Sequence, residues 1–438
     1  MWLVFGPLAG MPVSAQETPA RLFPGAPFVA DEVIVKLKPG ASPESLRAYA
    51  PAARVQAGPS AALAAIGATV LKVPEGKVPQ IVSRLRTSPG VVFAEPNYLR
   101  QVTLITPNDA EWTSQYGPAR IQAPQAWDVT TGTVSVTIAV IDTGAALTHP
   151  DLASKMWTNP GETGSGREMN GLDDDGDGYV DDWRGWDFVN DDNDPQDDHG
   201  HGTHVAGIAA AASNNSLGIA GIAWGARIMP LKILDSSGNG SDSDVAAAMI
   251  YAADHGAQVI NLSLGGAAPA SVMEAAVNYA HSRGATVVAA AGNTGSIGVL
   301  YPAAYPNAIA VAATDANDNR ASFSSYGAEV DLAAPGVNVY STFWSAWSGN
   351  TYTTLSGTSM STPHAAGAAA LLASLPQFNS PDKIRMALEE SALDLGTVCR
   401  DPYYGLGLVQ AFDALQLDPS VPPPVKCYYY FWPIAGKS

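Results

Sequence analysis

Three short runs carry residues able to do chemistry together: Ile141-Asp142-Thr143-Gly144, His201-Gly202-Thr203-His204-Val205-Ala206-Gly207 and Gly357-Thr358-Ser359-Met360-Ser361-Thr362-Pro363-His364. They supply a carboxylate, an imidazole and a hydroxyl, the parts of a nucleophile activated by a base whose charge a third group stabilises. Each run alone is weak: a strand-terminal Asp is often a turn residue, a His is often structural, and Gly-Thr-Ser is a common loop string. Together, each in the setting the chemistry needs, they point to acyl transfer. A serine hydroxyl is almost wholly protonated near neutral pH and needs an adjacent base. An imidazole of ordinary pKa, about 6.5, can take that proton and return it to a leaving amine. Sequence alone leaves His199, His201 and His204 as candidates for the base.

Such groups need a rigid frame. Apolar runs rich in β-formers cover 134–141, 227–234, 258–263, 285–291 and 308–313, and helical patterns cover 201–212, 244–255, 271–283 and 359–374. Strands buried on both faces and alternating with helices imply an α/β fold with an open, mostly parallel, doubly wound sheet. Ligands of such sheets bind beyond the carboxyl ends of the strands, where Asp142, Ser263 and Asn293 all fall. Residues 31–101 read as a separate, small α+β module, with strands at 33–37 and 91–95 and helices at 42–50 and 78–86. Residues 414–438 read as a Pro-rich linker and an aromatic tail.

The chain of 438 residues is long enough for one large core and one smaller one. Its net charge of -18 is unevenly shared: residues 1–107 hold ten Lys or Arg against six Asp or Glu, so the acidity belongs to the remainder. Nucleic acid and anionic membranes are thereby disfavoured as partners, and bound cations would relieve self-repulsion. No run reaches the roughly 18 apolar residues of a membrane span. Residues 1–15 end an apolar stretch on Val13-Ser14-Ala15, a small-residue cleavage pattern without the basic start of a signal peptide, and read as a truncated secretion signal. In an extracellular chain, Cys399 and Cys427 either close one disulfide or stand as two thiols.

The three runs, with Tyr116-Gly117-Pro118, Ile121-Gln122-Ala123-Pro124-Gln125-Ala126-Trp127, Ser263-Leu264-Gly265-Gly266 and Ala289-Ala290-Ala291-Gly292-Asn293, resemble the subtilisin-like serine proteases, and in particular the thermitase branch. The resemblance runs from Thr106 to about Ala414, gives a catalytic domain over residues 105–413 and implies a calcium-stabilised endopeptidase. It places the base at His201, the orienting acid at Asp142, the nucleophile at Ser359 and an oxyanion donor at Asn293. It also implies that 31–101 is an inhibitor-type prodomain that assists folding and then blocks the cleft, with cleavage between Asn97 and Thr106. Gly238, Asn239 and Gly240 on one side and Ser263, Leu264 and Gly265 on the other match the segments that sandwich an extended peptide. The primary pocket would lie between Leu264-Gly265 and Ala290-Gly292, with walls small enough for a broad apolar or aromatic preference. A monomer acting on protein or peptide substrates is expected. Rival readings on the same machinery are a peptide ligase or cyclase, a self-processing binding scaffold that cuts only itself, and a non-catalytic calcium-dependent binding protein.

The resemblance further implies calcium at Asp109, Asp151 and Asn215, and an altered second site at Asp187, Asp192 and Gln196, with Asn190 and Asp194 differing in type. The chain departs from the family pattern between 156 and 186 by an acidic insertion. Its Asp173, Asp175, Asp177 and Gly178 fit the start of an EF-hand loop, but the twelfth position is Arg184 where Glu is needed. A full EF-hand is excluded, and a third calcium site is expected from the crowding of carboxylates. Met360, next to the nucleophile, is expected to be open to oxidation.

Overall fold

The computed structural model describes residues 28–55, 61–99 and 105–421, and the signal-like and aromatic-tail segments lie outside them. The chain divides into two compact units at residue 103. In the first, four antiparallel strands, β1 (Phe28–Leu37), β2 (Arg54–Val55), β3 (Ala68–Lys72) and β4 (Val91–Tyr98), lie in the order β2-β3-β1-β4. Helix α1 (Val78–Arg86) buries Val78, Ile81, Val82 and Leu85, the spacing that puts four side chains on one helical face. They pack with Val33, Val35, Leu71 and Ala94 of the sheet in a separate core. The helix expected over 42–50 is only a 3-10 turn, Pro43–Ala48. Pro51 follows and disfavours helical backbone at Ala50, which stops propagation. Strand β3 escaped the sequence reading because four consecutive residues are buried and no alternation marks it.

The second unit is built on seven parallel strands: β5 (Thr137–Asp142), β6 (Trp186–Asp187), β7 (Arg227–Lys232), β8 (Val259–Leu262), β9 (Thr286–Ala290), β10 (Ala308–Thr314) and β11 (Leu332–Pro335). Their order is β11-β10-β9-β8-β5-β7-β6. Alternate residues feed two cores. Ile138 and Val140 of β5 join one that includes Val205 and Leu371, whereas Ala139 and Ile141 join another that includes Met249 and Val277. Helices α2 (His201–Ala210) and α5 (Thr358–Ala373) therefore cover one face, and α3 (Asp242–Asp254) and α4 (Ser271–Ser282) the other. A hairpin, β12 (Val339–Ser345) and β13 (Gly349–Leu355), braces α2, because Ser341 and Thr342 donate to the carbonyls of His204 and Thr203. Helix α6 (Pro381–Ser391) adds Ile384 and Leu388 to the first core. Among the described residues no helix is long and apolar enough to cross a membrane.

Candidate active site

Strand β5 ends at Asp142, which is fully buried, and the chain returns to the same end of the sheet to start α2 at His201. The two elements touch because Gly202 has no side chain: a Cβ there would lie 2.1 Å from the carbonyl oxygen of Gly144. His201 Nδ1 is 2.7 Å from Asp142 Oδ1, which also accepts the Thr143 N–H at 2.8 Å. Burial alone would lower the His201 pKa, but the charge and hydrogen bond of Asp142, with the charge of Asp197, outweigh it and raise the imidazole above its ordinary value. The imidazole keeps 22% of its side-chain surface exposed, facing the cleft.

Asp197 was not singled out from sequence. It is fully buried. Its Oδ1 accepts Thr143 Oγ1, His199 N and Gly200 N at 2.8, 2.9 and 2.8 Å, and its Oδ2 accepts the Thr203 N–H at 2.9 Å and the Thr203 hydroxyl. One carboxylate thus fixes both the loop after Asp142 and the first turn of the helix that carries His201, and adds negative charge where a helix N-terminus is positive. Lys232, buried at the end of β7 beside Asp142, donates to Thr143 O, Asp198 Oδ1 and Leu234 O. An Asp four residues before the His is a sequence signal that could have been read as helix-start chemistry; nothing local announces Lys232.

Ser359 sits in the first turn of α5. Pro363 lies within this helix and has no N–H to give the carbonyl four residues earlier, which is Ser359 O. Ser263 Oγ, just past the end of β8, donates to that oxygen at 2.9 Å, and the Ser359 hydroxyl donates back to Ser263 O at 3.0 Å. Nucleophile and strand end are laced together. The hydroxyl's hydrogen bond in this structure is therefore to Ser263 O. Asn293 follows β9; its Oδ1 accepts the N–H and the hydroxyl of Thr358 at 2.8 and 3.0 Å. With the amide oxygen so held, Nδ2 is left as a donor beside the start of α5, whose own N–H groups and dipole favour negative charge.

His204 is buried and reaches the carbonyls of Val339 and Thr353, and burial takes its pKa down to about 3. It packs as a neutral structural residue. His199 is an exposed loop residue that borders the cleft, with its ring centroid 6.3 Å from that of His201. Met360 is 1% exposed and packs within the first core, so the expectation of an open thioether is corrected: the side chain is buried in packing.

A cleft of about 410 Å³ is bounded by Gly238, Asn239 and Gly240 on one side and by Ser263, Leu264 and Gly265 on the other, with His201 at its edge and Val245, Met273 and Tyr301 deeper in. The glycines leave backbone groups accessible to an extended chain. Ala290 and Gly292 do not line it. Leu300 stands between the two walls assigned to the primary pocket: a Cβ at Gly265 would be 2.8 Å from Leu300 Cβ, and one at Gly292 would be 2.6 Å from Leu300 Cγ. Position 300 lies outside every motif and was missed for that reason.

The candidate metal residues fare differently. Asp109 and Asp151 are buried and meet at the 214–221 loop: Asp109 accepts the N–H groups of Asn214 and Asn215, and Asp151 accepts Asn215 Nδ2, Ile219 N and Tyr352 OH. Burial raises the Asp109 pKa, backbone hydrogen bonds oppose it, and the charge of Asp151 adds to the rise. Two acids held so close fit a hard cation. Asp187 and Asp192 share one turn, but Asp187 is taken up by Val189 N and by Asn190, Asp194 pairs with Arg184, and Gln196 Oε1 accepts Leu147 N. In the insertion, Asp173 and Asp175 converge with Glu162, and Asp177 with Asp175 and His255. Cys399 is disulfide-bonded, while Cys427 lies outside the described residues.

This arrangement can be set beside known proteins. The model of the subtilase family matches residues 134–407, and that of the fervidolysin N-terminal prodomain matches residues 15–97. Thermitase of Thermoactinomyces vulgaris is 49% identical over 312 residues, 71% of this chain and 99% of that protein. The thermophilic serine proteinase of Bacillus sp. (strain AK1) is 46% identical over 347 residues, 79% of this chain and 77% of that protein. Among solved structures, a protease from Pseudoalteromonas arctica PAMC 21717 superposes with a TM-score of 0.61 at 31% identity, covering 71% of this chain and 99% of that one. A strand-end acid bonded to a helix-start imidazole, a serine in the first turn of another helix on the same face and matches of this extent lead to one conclusion: the chain belongs to the subtilase family and is a thermitase-like serine endopeptidase made as a zymogen with an N-terminal prodomain.

Proposed function

We propose that the chain hydrolyses peptide bonds through an acyl-enzyme, with Ser359 as nucleophile, His201 as base and then acid, Asp142 as the group that orients and stabilises the imidazolium, and Asn293 as oxyanion donor. The Asp142–His201 bond of 2.7 Å at the edge of the cleft carries this reading. A peptide enters as an added strand between residues 238–240 and 263–265. The Ser359 hydroxyl turns from Ser263 O toward His201 and gives up its proton as Oγ bonds to the scissile carbonyl carbon. Negative charge collects on the carbonyl oxygen, where Asn293 Nδ2 and the N-terminus of α5 stabilise it. His201 returns the proton to the leaving amine as the C–N bond breaks; water then gives a proton to His201 as its oxygen bonds to the acyl carbon, and His201 passes that proton to Ser359 Oγ as the ester bond breaks and the new carboxyl end leaves.

Leu300 sharpens the expected specificity. Because it contacts both glycine walls, the side chain before the cut is small or short and aliphatic, and an aromatic ring is disfavoured. The disulfide at Cys399 supports an extracellular, oxidising setting, and the prodomain is read as an inhibitor of its own catalytic unit. Calcium fits the Asp109, Asp151 and Asn215 cluster; when bound it supplies charge neutralisation that holds the 214–221 loop, with no part in the chemical step.

The test is intact mass of the wild type and of Ser359→Ala after incubation with calcium, followed by hydrolysis of an unstructured protein. Loss of roughly the first hundred residues and substrate cleavage by the wild type alone are expected. Self-cutting without substrate cleavage would favour the scaffold, and an uncut inactive wild type would overturn the reading. Peptides differing only in Ala, Leu or Phe before the cut, tested on wild type and Leu300→Gly, should show Phe gaining most in the variant.

A further inference from the structure

The insertion between residues 156 and 186 begins like an EF-hand loop and lacks its final acid, and the fold provides that acid from the opposite direction in sequence. Glu162 is fully buried. Its Oε1 accepts the N–H groups of Asp174 and Asp175 at 2.5 and 3.2 Å, so it is held against the loop. Its Oε2 is buried with no hydrogen-bond partner. One oxygen each from Glu162, Asp173 and Asp175 lies within 4.8 Å of the others. A buried carboxylate with one oxygen lacking a donor, gathered with two further acids, is strongly disfavoured unless something positive joins it.

The two loop acids are steadied from outside this meeting point. Asp173 accepts the N–H groups of Gly176, Asp177 and Gly178, and Asp175 Oδ2 accepts Asn159 Nδ2 at 2.9 Å. Asp177, at the third acid position of the motif, is committed elsewhere: Oδ2 is 3.1 Å from His255 Nε2 on the turn after α3, and Oδ1 accepts Tyr179 N. Asp182 closes the far end of the insertion by accepting the Tyr251 hydroxyl of α3 and Asn159 Nδ2.

We propose that Glu162, Asp173 and Asp175 form a calcium site in which Glu162 replaces the acid that an EF-hand takes from its twelfth position, while Asp177 anchors the loop to His255 and is not a ligand. Oxygen donors alone select a hard cation, whereas the neighbouring group with an imidazole would suit a softer metal and is already closed by its own ion pair. Binding would join the two ends of a long insertion to β6 and α3. The proposal shares calcium with the functional reading above but not its sites or its chemistry.

The experiment counts bound calcium by elemental mass spectrometry on the full chain carrying Ser359→Ala, so that no self-cutting intervenes, after dialysis and readdition of calcium. Glu162→Gln and Asp173→Asn are each expected to lose one equivalent per chain, and Asp177→Asn none. Asp151→Asn should lose a different equivalent, so that the Glu162→Gln, Asp151→Asn pair loses two. A full count in folded Glu162→Gln, as a merely protonated Glu162 would give, overturns the proposal, and so does loss of the same equivalent in Asp177→Asn. Should Glu162→Gln fail to fold, the surface change Asp173→Asn decides in its place. Loss confined to Asp151→Asn would leave the first calcium reading standing and sink this one; loss confined to Glu162→Gln and Asp173→Asn would do the reverse.

Discussion

Two acid-rich regions of the second unit treat carboxylates in opposite ways. Around the cleft, Asp197 spends both oxygens on hydroxyl and backbone donors and Asp142 gives one to His201, so protein groups do the neutralising. In the insertion, Glu162 and Asp173 with Asp175 turn oxygens toward one another. The first region has its chemical partner within the protein, since His201 pairs with Asp142 Oδ1, although Asp142 Oδ2 is itself buried without a hydrogen-bond partner. The second, under the proposal above, takes a cation to complete it and serves stability. The difference teaches that acidity by itself says little, and that the donors facing each oxygen say what the acid is for.

If this division is right, changes at the cleft should remove activity and leave calcium content alone. Ser359→Ala or His201→Ala should cut kcat by about 10⁶-fold, the loss known for the matching groups of subtilisin, and Asp142→Asn by about 10⁴-fold. Circular dichroism and calcium content should match the wild type; a variant that lost calcium would blur the comparison. Asn293→Ala should cost about 10² to 10³ in kcat with KM little changed, again the subtilisin magnitude, and a loss seen in KM alone would remove Asn293 from the oxyanion role.

The pH dependence sharpens the cleft side. Because the His201 pKa is raised, kcat/KM should climb as pH rises through a value above 6.5, and Asp197→Asn should move that midpoint down with a smaller loss of kcat. The stability given by the Asp142–His201 pair runs the other way, being full below the unfolded value of 6.5 and lost as pH rises through the folded pKa. His364, lowered to about 4 by burial, has the opposite sign: its neutral form favours folding above 6.5, and that contribution is lost as pH falls from 6.5 toward 4, by about 3 kcal/mol at the lower limit. Replacing His364 by Gln and comparing urea midpoints at pH 7 and 4.5 checks it. The smallest effect on activity belongs to calcium removal. Chelation should lower Tm by several degrees while initial rates at low temperature stay within about twofold; equal falls in both would merge the two regions.

Much of this was legible in the sequence. The parallel strands were visible as apolar runs because burial on both faces leaves no polar alternation, and the residues proposed for catalysis stood out because strand ends and helix starts have their own residue types. What stayed hidden shares a physical cause. Lys232, Leu300 and Glu162 act through partners brought in by the fold, and such a partner leaves no trace in a side chain's own neighbourhood, whereas Asp197 carries a local signal in its place four residues before His201. The acidic motif shows this most clearly: it named Asp173, Asp175 and Asp177 by spacing, but the structure separates Asp177 and recruits Glu162, whose distance from the motif fits no local pattern. The hairpin β12–β13 was missed because its serines and threonines face helix carbonyls, so that polar residues are buried where a pattern reader expects apolar ones.

A proline within a helix is ordinarily read as a defect, a ladder with one rung gone. At Pro363 the gap lets another element take hold. Ser263 grips the open carbonyl of Ser359 from the strand side, so the edge that receives a peptide and the helix turn that attacks it behave as a single hinge-free piece. An uninterrupted helix would keep that carbonyl for itself and leave the alignment of the two to side-chain packing alone. The missing rung thus serves as a weld, and the accuracy with which a bound peptide meets the nucleophile is set by a residue that touches neither.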